Sequence, residues 1–159
     1  VDFYFVEIHR ILKVGGTFRM TVPDADIIYD ACKRNDIDFI NYLDNNNKNN
    51  NNQSESDFFK SYLIGPYSKT KEFKDLKKIN FEKLLTKHEL KKLPQNHSFM
   101  DHKCWFNYNR AMKMLIKSGF KKKKIFKSGY LQSKSSEMRN SKFFDQTIPS
   151  ASLYVECVK

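Results

Sequence analysis

The densest run of chemically capable side chains lies between His97 and Tyr108. It holds His97, Asp101, His102, Lys103 and Cys104, followed directly by Trp105, Phe106, Asn107 and Tyr108. An imidazole titrates near neutral pH and can take a proton from an acceptor hydroxyl or amine, which makes His102 a candidate base. Trp105 and Tyr108 offer flat, electron-rich faces able to wall a pocket over a substrate. The same residue types also make an ordinary loop whose rings pack inward and whose histidine is solvated or hydrogen-bonded. His97, His102 and Cys104 raise the question of zinc, but their spacing does not pair two ligand-bearing turns and no fourth ligand is evident, so no metal is expected. Cys104 has histidine nearby but no strained or glycine-rich turn to present a nucleophilic thiol.

A second candidate, Asp24, follows from the elements around it. Glu7 to Lys13 reads as an amphipathic helix with Ile8, Ile11 and Leu12 on one face and Glu7, Arg10 and Lys13 on the other. Gly15 and Gly16 end it, one glycine closing the helix and the other letting the chain reverse tightly. Thr17 to Val22 then reads as a strand ending in Pro23-Asp24. In open α/β sheets, ligands bind beyond the carboxyl ends of the strands, which puts Pro23 and Asp24 at the functional rim. A carboxylate there can orient an acceptor or take its proton. It is equally suited to cap the next helix, and Asp26 is the weaker candidate beside it.

The pattern Glu7, Arg10, Leu12-Lys13, Gly15-Gly16 and Val22-Pro23-Asp24 resembles the signature around the fifth strand of class I S-adenosylmethionine-dependent methyltransferases. Leu115 to Phe120, the basic stretch after it and Ser152 to Lys159 resemble that family's last helix, sixth strand and closing seventh strand. Val14 stands where the family usually has proline, and the resemblance leaves the middle of the chain unmatched. It implies an incomplete Rossmann-like α/β sheet of strands five, six and seven, the last strand antiparallel between the other two, plus a helical insertion. It further implies S-adenosylmethionine as cofactor, Asp24 and His102 in the chemistry, and Pro23, Asp26, Lys103, Trp105 and Tyr108 about the methyl acceptor, whose identity stays open. The family's glycine-rich loop and acidic strand end do not occur in this chain, which reads as beginning inside a helix. Positions 1–159 are therefore expected to be the C-terminal part of one methyltransferase domain, with cofactor contacts made mainly by a missing N-terminal half.

Composition bounds the alternatives. The 159 residues are 40% hydrophobic and 14% aromatic, sufficient for a core of one ordinary domain. No apolar run approaches membrane-spanning length and the start lacks a signal-peptide pattern, so a cytoplasmic protein without a membrane span is expected. Cys32, Cys104 and Cys157 are scattered and odd in number, which fits reduced thiols. The net charge of +11 invites a nucleic-acid partner. Yet the excess is mostly lysine and accompanies abundant Asn, Ile, Phe and Tyr, a set that AT-rich codons produce by themselves. The run Lys121 to Lys124 reads as a solvated approach to a strand, and no known nucleic-acid motif spacing accompanies it. A noncatalytic basic nucleic-acid- or protein-binding module and an inactive truncated methyltransferase are the alternative readings.

Between these ends, Asp24 to Tyr42 reads as a helix through Ile27, Ile28, Ala31 and Cys32. The Asn-rich positions 45–56 read as a disordered insertion, and 57–94 as a helical, lid-like insertion with stripes at Phe58, Phe59, Tyr62 and Leu63 and at Phe81, Leu84 and Leu85. Asn107 to Ser118 reads as a helix capped by Asn107 and stopped by Gly119, with Phe120 as the hydrophobic contact beyond it. Strands are expected near Lys124 to Tyr130 and at Ser152 to Val158, separated by a polar loop over Ser133 to Ser150. His9 and His88 are expected on exposed helix faces.

Overall fold

The computed structural model describes residues 2–47, 63, 80–88 and 104–159. They fall into two compact units, Val1–Asp24 with Phe106–Lys159, and Ala25–Trp105. The first unit is built on a sheet of three strands, β1 (Thr17–Pro23), β2 (Ile125–Ser128) and β3 (Ser152–Val158). The order is β1-β3-β2, with β3 antiparallel to both neighbours. The last strand therefore lies in the middle, and β1 and β2 run in the same direction on either side of it.

Helix α1 (Asp2–Ile11) leads into β1 through the two glycines. Gly15 sits at φ +81, a conformation closed to most side chains, and Gly16 has no room for one: a Cβ there would lie 2.9 Å from the Lys13 carbonyl oxygen. The turn is also tied to the far end of the chain. The Gly15 N–H donates to the Lys159 carbonyl and the Lys159 N–H donates to the Gly16 carbonyl, both at 3.0 Å. The ladder of Thr17 against Val158 thus runs on through the turn, and the glycines set the register of the whole sheet.

One sheet face is covered by α1 and by α5 (Tyr108–Lys117). Phe5 is almost fully buried and meets Phe18 and Phe106 edge-on at 6.1 and 6.3 Å. The inward face of α1 is not the expected one. Phe5 and His9 turn inward, His9 against Phe120 at 4.8 Å, whereas Ile11 is 66% exposed and Tyr4, Ile8, Ile11 and Leu12 line an open groove beside β1. Helix α5 matches its expectation closely. The Asn107 side chain accepts from the Arg110 N–H at 2.9 Å, and at the far end Gly119, at φ +108, closes the helix while Phe120 buries beyond it.

In the second unit, α2 (Ala25–Arg34) and α3 (Ile37–Asn47) replace the single expected helix. Asn35 takes a left-handed φ of 57, the Asp36 N–H reaches back to the Ala31 carbonyl, and the Asp36 carboxylate caps α3 by accepting from the Phe39 N–H at 3.2 Å. One polar pair both stops a helix and starts the next. Helix α4 (Phe81–His88) is capped by Asn80, whose side chain accepts from the Lys83 N–H. Of the Asn-rich positions 45–56, the first three end α3 and the rest lie outside the described residues; of the lid-like 57–94, Leu63, which is buried, and Asn80–His88 are described.

Both glycines are testable. Gly15→Ala should cost about 1–2 kcal/mol through left-handed strain alone, and Gly16→Ala should cost at least as much because its new methyl meets a backbone oxygen. Urea unfolding of the two variants measures this; a neutral Gly16→Ala would contradict the close approach.

Candidate functional site

The rim at the ends of β1 and β2 is built around Asp24. Pro23 closes the β1 ladder opposite Ser152, and one residue further the Asp24 N–H donates to the Ala151 carbonyl at 2.9 Å. Asp24 also bridges to Phe106, the residue just before the capped start of α5, so Asn107 and Tyr108 follow at the same rim. Its carboxylate is 1% exposed and accepts from the Lys127 ammonium at 3.2 Å. Lys127 belongs to β2, and its side chain is 53% exposed. The pair therefore has an inner anion and an outer cation: a molecule arriving at the rim meets the ammonium, which the buried carboxylate holds in place.

The other expected residues are distributed differently. Asp26 is exposed in the first turn of α2, and Trp105 is 3% exposed, its ring edge against Phe81 at 6.1 Å, with Phe81 stacked on Tyr29 at 4.4 Å; all four belong to the second unit. Trp105 is thus part of an aromatic core. Tyr108 is half-buried at the first position of α5. His97, His102 and Lys103 lie outside the described residues. Among the described residues no three His, Cys, Asp or Glu side chains converge as a metal site would require, and no helix is long and apolar enough to cross a membrane.

A second polar cluster, which the sequence reading does not anticipate, sits on the opposite sheet face. Arg19, at the middle of β1, pairs with Asp145 through Nε at 2.9 Å and Nη2 at 2.6 Å, and with Glu156 through Nη1 at 2.7 Å. Nη1 also donates to Ser128 Oγ and Nη2 to the Gly129 carbonyl. All five guanidinium N–H donors are engaged, and the group lies over the Tyr154 ring at 5.0 Å. Asp145 additionally accepts from Thr21 and from the Leu131 N–H, and Glu156 accepts from the Lys134 N–H. The three charged side chains are between 0% and 3% exposed. Burial alone would lower the Arg19 pKa, but its hydrogen bonds to Asp145 and Glu156 raise it above the ordinary value. Burial would likewise raise Asp145, yet the bonds from Arg19, the Leu131 N–H and Thr21 hold it below the ordinary carboxylate range. A guanidinium with every donor occupied has none left for a ligand. This cluster is therefore structural: it straps the segment after β2 onto the sheet.

The described glycines do not form a nucleoside cradle. A Cβ at Gly16 would meet the backbone of Lys13, at Gly119 the ring of His9 and at Gly129 the side chain of Gln132, so the space at these three is filled by the chain itself, whereas Gly15 has nothing within 4 Å. S-adenosylmethionine, implied by the resemblance, finds no backbone cradle at Gly16, Gly119 or Gly129. Cys157 is fully buried, and burial together with the Glu156 charge pushes its thiol up to about 12.

Two measurements follow from this geometry. Asp145→Asn should cost about 3–5 kcal/mol near neutral pH, because it leaves the buried Arg19 charge undercompensated. Since the folded Asp145 pKa is depressed, its stabilisation is present above the unfolded value of about 3.9 and is lost as pH falls through the folded value. The stability gap between wild type and Asp145→Asn should accordingly narrow below about pH 4; a gap independent of pH would contradict the ion pair. Thiol titration of the native chain at mildly alkaline pH should modify half-buried Cys104 well before Cys157, and equal rates would count against the buried placement. Comparison with family models, with curated proteins and with solved structures finds no match to this chain.

Proposed function

We propose that this chain forms the acceptor-side portion of a class I S-adenosylmethionine-dependent methyltransferase, with the main cofactor contacts made by a part of the protein outside positions 1–159. The observation that carries this reading is the order of the sheet. A glycine-paired helix-to-strand joint delivers Pro23-Asp24 to one rim, and the last strand inserts antiparallel between β1 and β2, as the resemblance implied from sequence. In this reading Lys127, held by Asp24, contacts a polar or anionic group of the acceptor. Displacement at a sulfonium methyl depends mainly on positioning the two reactants, so the role of the pair is to orient. Where the acceptor carries an acidic proton, a base is also needed, and His102 remains the proposed residue.

Label transfer from methyl-tritiated S-adenosylmethionine by the natural protein carrying this chain tests the assignment, with RNA, protein and small-molecule fractions offered as acceptors. Lys127→Met should lower turnover at least about tenfold while leaving cofactor affinity unchanged. Absence of transfer to every acceptor class would overturn the reading. Titration of the 159-residue chain alone with S-adenosylmethionine should show no saturable binding tighter than about 1 mM; a micromolar Kd would refute the placement of the cofactor contacts elsewhere.

A further inference from the structure

The +11 charge is not spread evenly. Cations and carboxylates nearly balance in Ala25–Trp105, and most of the excess belongs to the sheet unit. There, the carboxylates of Asp24, Asp145 and Glu156 are buried and matched by Lys127 and Arg19, so they do little to offset the surface lysines. From His102 to Ser136 the sequence holds no Asp or Glu at all. That acid-free stretch folds into adjoining elements: α5 packs against β2 and β3, a short turn at Lys122–Lys124 joins it to β2, and β2 is the border strand of the sheet. Lys113, Lys117, Lys121, Lys122 and Lys123 are exposed along this border. Codon bias accounts for the abundance of lysine, but not for the lack of Asp and Glu between His102 and Ser136 or for the burial of Asp24, Asp145 and Glu156.

We propose that this border, from the end of α5 through the Lys121–Lys124 turn to β2, is a binding surface for the phosphodiester backbone of nucleic acid. Lysine ammoniums are mobile point charges suited to sequence-independent phosphate contact, whereas the one arginine at the heart of the sheet has no donor to spare. Phe126, half-buried on β2, and Tyr130 just beyond it, 39% exposed, supply rings on which unpaired bases can stack. The Lys134 ammonium already rests 4.0 Å from the centre of the Phe126 ring, adding charge at that ring. The surface does not depend on the methyl-transfer reading, since it is assayed without cofactor.

The test is fluorescence anisotropy with a labelled oligouridine of about 20 nucleotides. Binding should weaken with salt on a log-log slope of about −3, corresponding to roughly four phosphate contacts on a single strand. The triple variant Lys121→Gln, Lys122→Gln, Lys123→Gln should weaken binding at least about tenfold and flatten the slope by about 2. Its exposed positions make folding robust, which circular dichroism checks. The variant Lys33→Gln, Arg34→Gln, Lys83→Gln removes the same charge elsewhere and should leave affinity within about twofold. Equal loss in both variants would reduce the effect to net charge and overturn the proposal. So would failure to bind the oligonucleotide, or binding only to vesicles containing phosphatidylserine.

Discussion

Arg19 is the constraint around which the sheet unit is organised. A guanidinium at the middle of a strand, buried on both sides, carries a desolvation cost of several kcal/mol that only full hydrogen bonding and opposite charge can offset. The required partners come from separate stretches: Glu156 from β3, Ser128 and Gly129 from the end of β2, and Asp145 from the long segment that follows. Satisfying one side chain therefore orders the polar segment between β2 and β3, which has little regular structure of its own. Asp145 and Leu131 both adopt left-handed backbone conformations, and the Leu131 N–H bonds the Asp145 carboxylate, so the segment is folded back onto the charge it neutralises. This explains why both faces of β3 are buried, where alternation of Leu153, Val155 and Cys157 with Tyr154 and Glu156 would suggest one dry face and one wet one.

That arrangement depends in turn on register. Arg19 stands opposite Glu156 because the turn at Gly15 and Gly16 continues the β1–β3 ladder to Lys159. A slip of one residue would carry Arg19 to the face where Phe5, Phe18 and Phe106 pack, leaving the charge among hydrocarbon. The backbone turn and the buried ion cluster thus enforce one another: the glycines permit the register, and the cost of misplacing Arg19 penalises every other. The same register places Pro23 opposite Ser152 and so sets Asp24 at the rim.

The rim and the border show two uses of charge. At the rim a buried carboxylate fixes one exposed ammonium, converting a flexible lysine into a positioned group. Along the border Lys113, Lys117, Lys121, Lys122 and Lys123 are exposed in a stretch of sequence that holds no Asp or Glu, which favours diffuse attraction over precise placement. Lys127 belongs to both, since β2 is at once the border strand and the strand whose end lies beside Asp24.

Much of this was legible locally. The glycine joint, the Asn107 cap, the Gly119 stop with Phe120 beyond it and the end strand are short-range signals, and each element formed where backbone preference and periodicity placed it. The asparagine-aspartate break at positions 35–36 was legible in principle too, because both residues are strong end signals, yet apolar spacing across it read as one helix. Which face of α1 turns inward was not legible: Ile8 and Ile11 are as apolar as Phe5, and only the neighbouring Phe18, Phe106 and Phe120 decide that Phe5 and His9 pack. The partnerships of Arg19 with Asp145 and Glu156, and of Asp24 with Lys127, span more than a hundred residues: strand register sets Arg19 opposite Glu156, and the folded-back segment after β2 brings in Asp145. Local sequence determined the elements and their ends; the tertiary structure alone decided which charges meet, because pairing across a sheet is set by alignment in space and leaves no periodic mark on the chain.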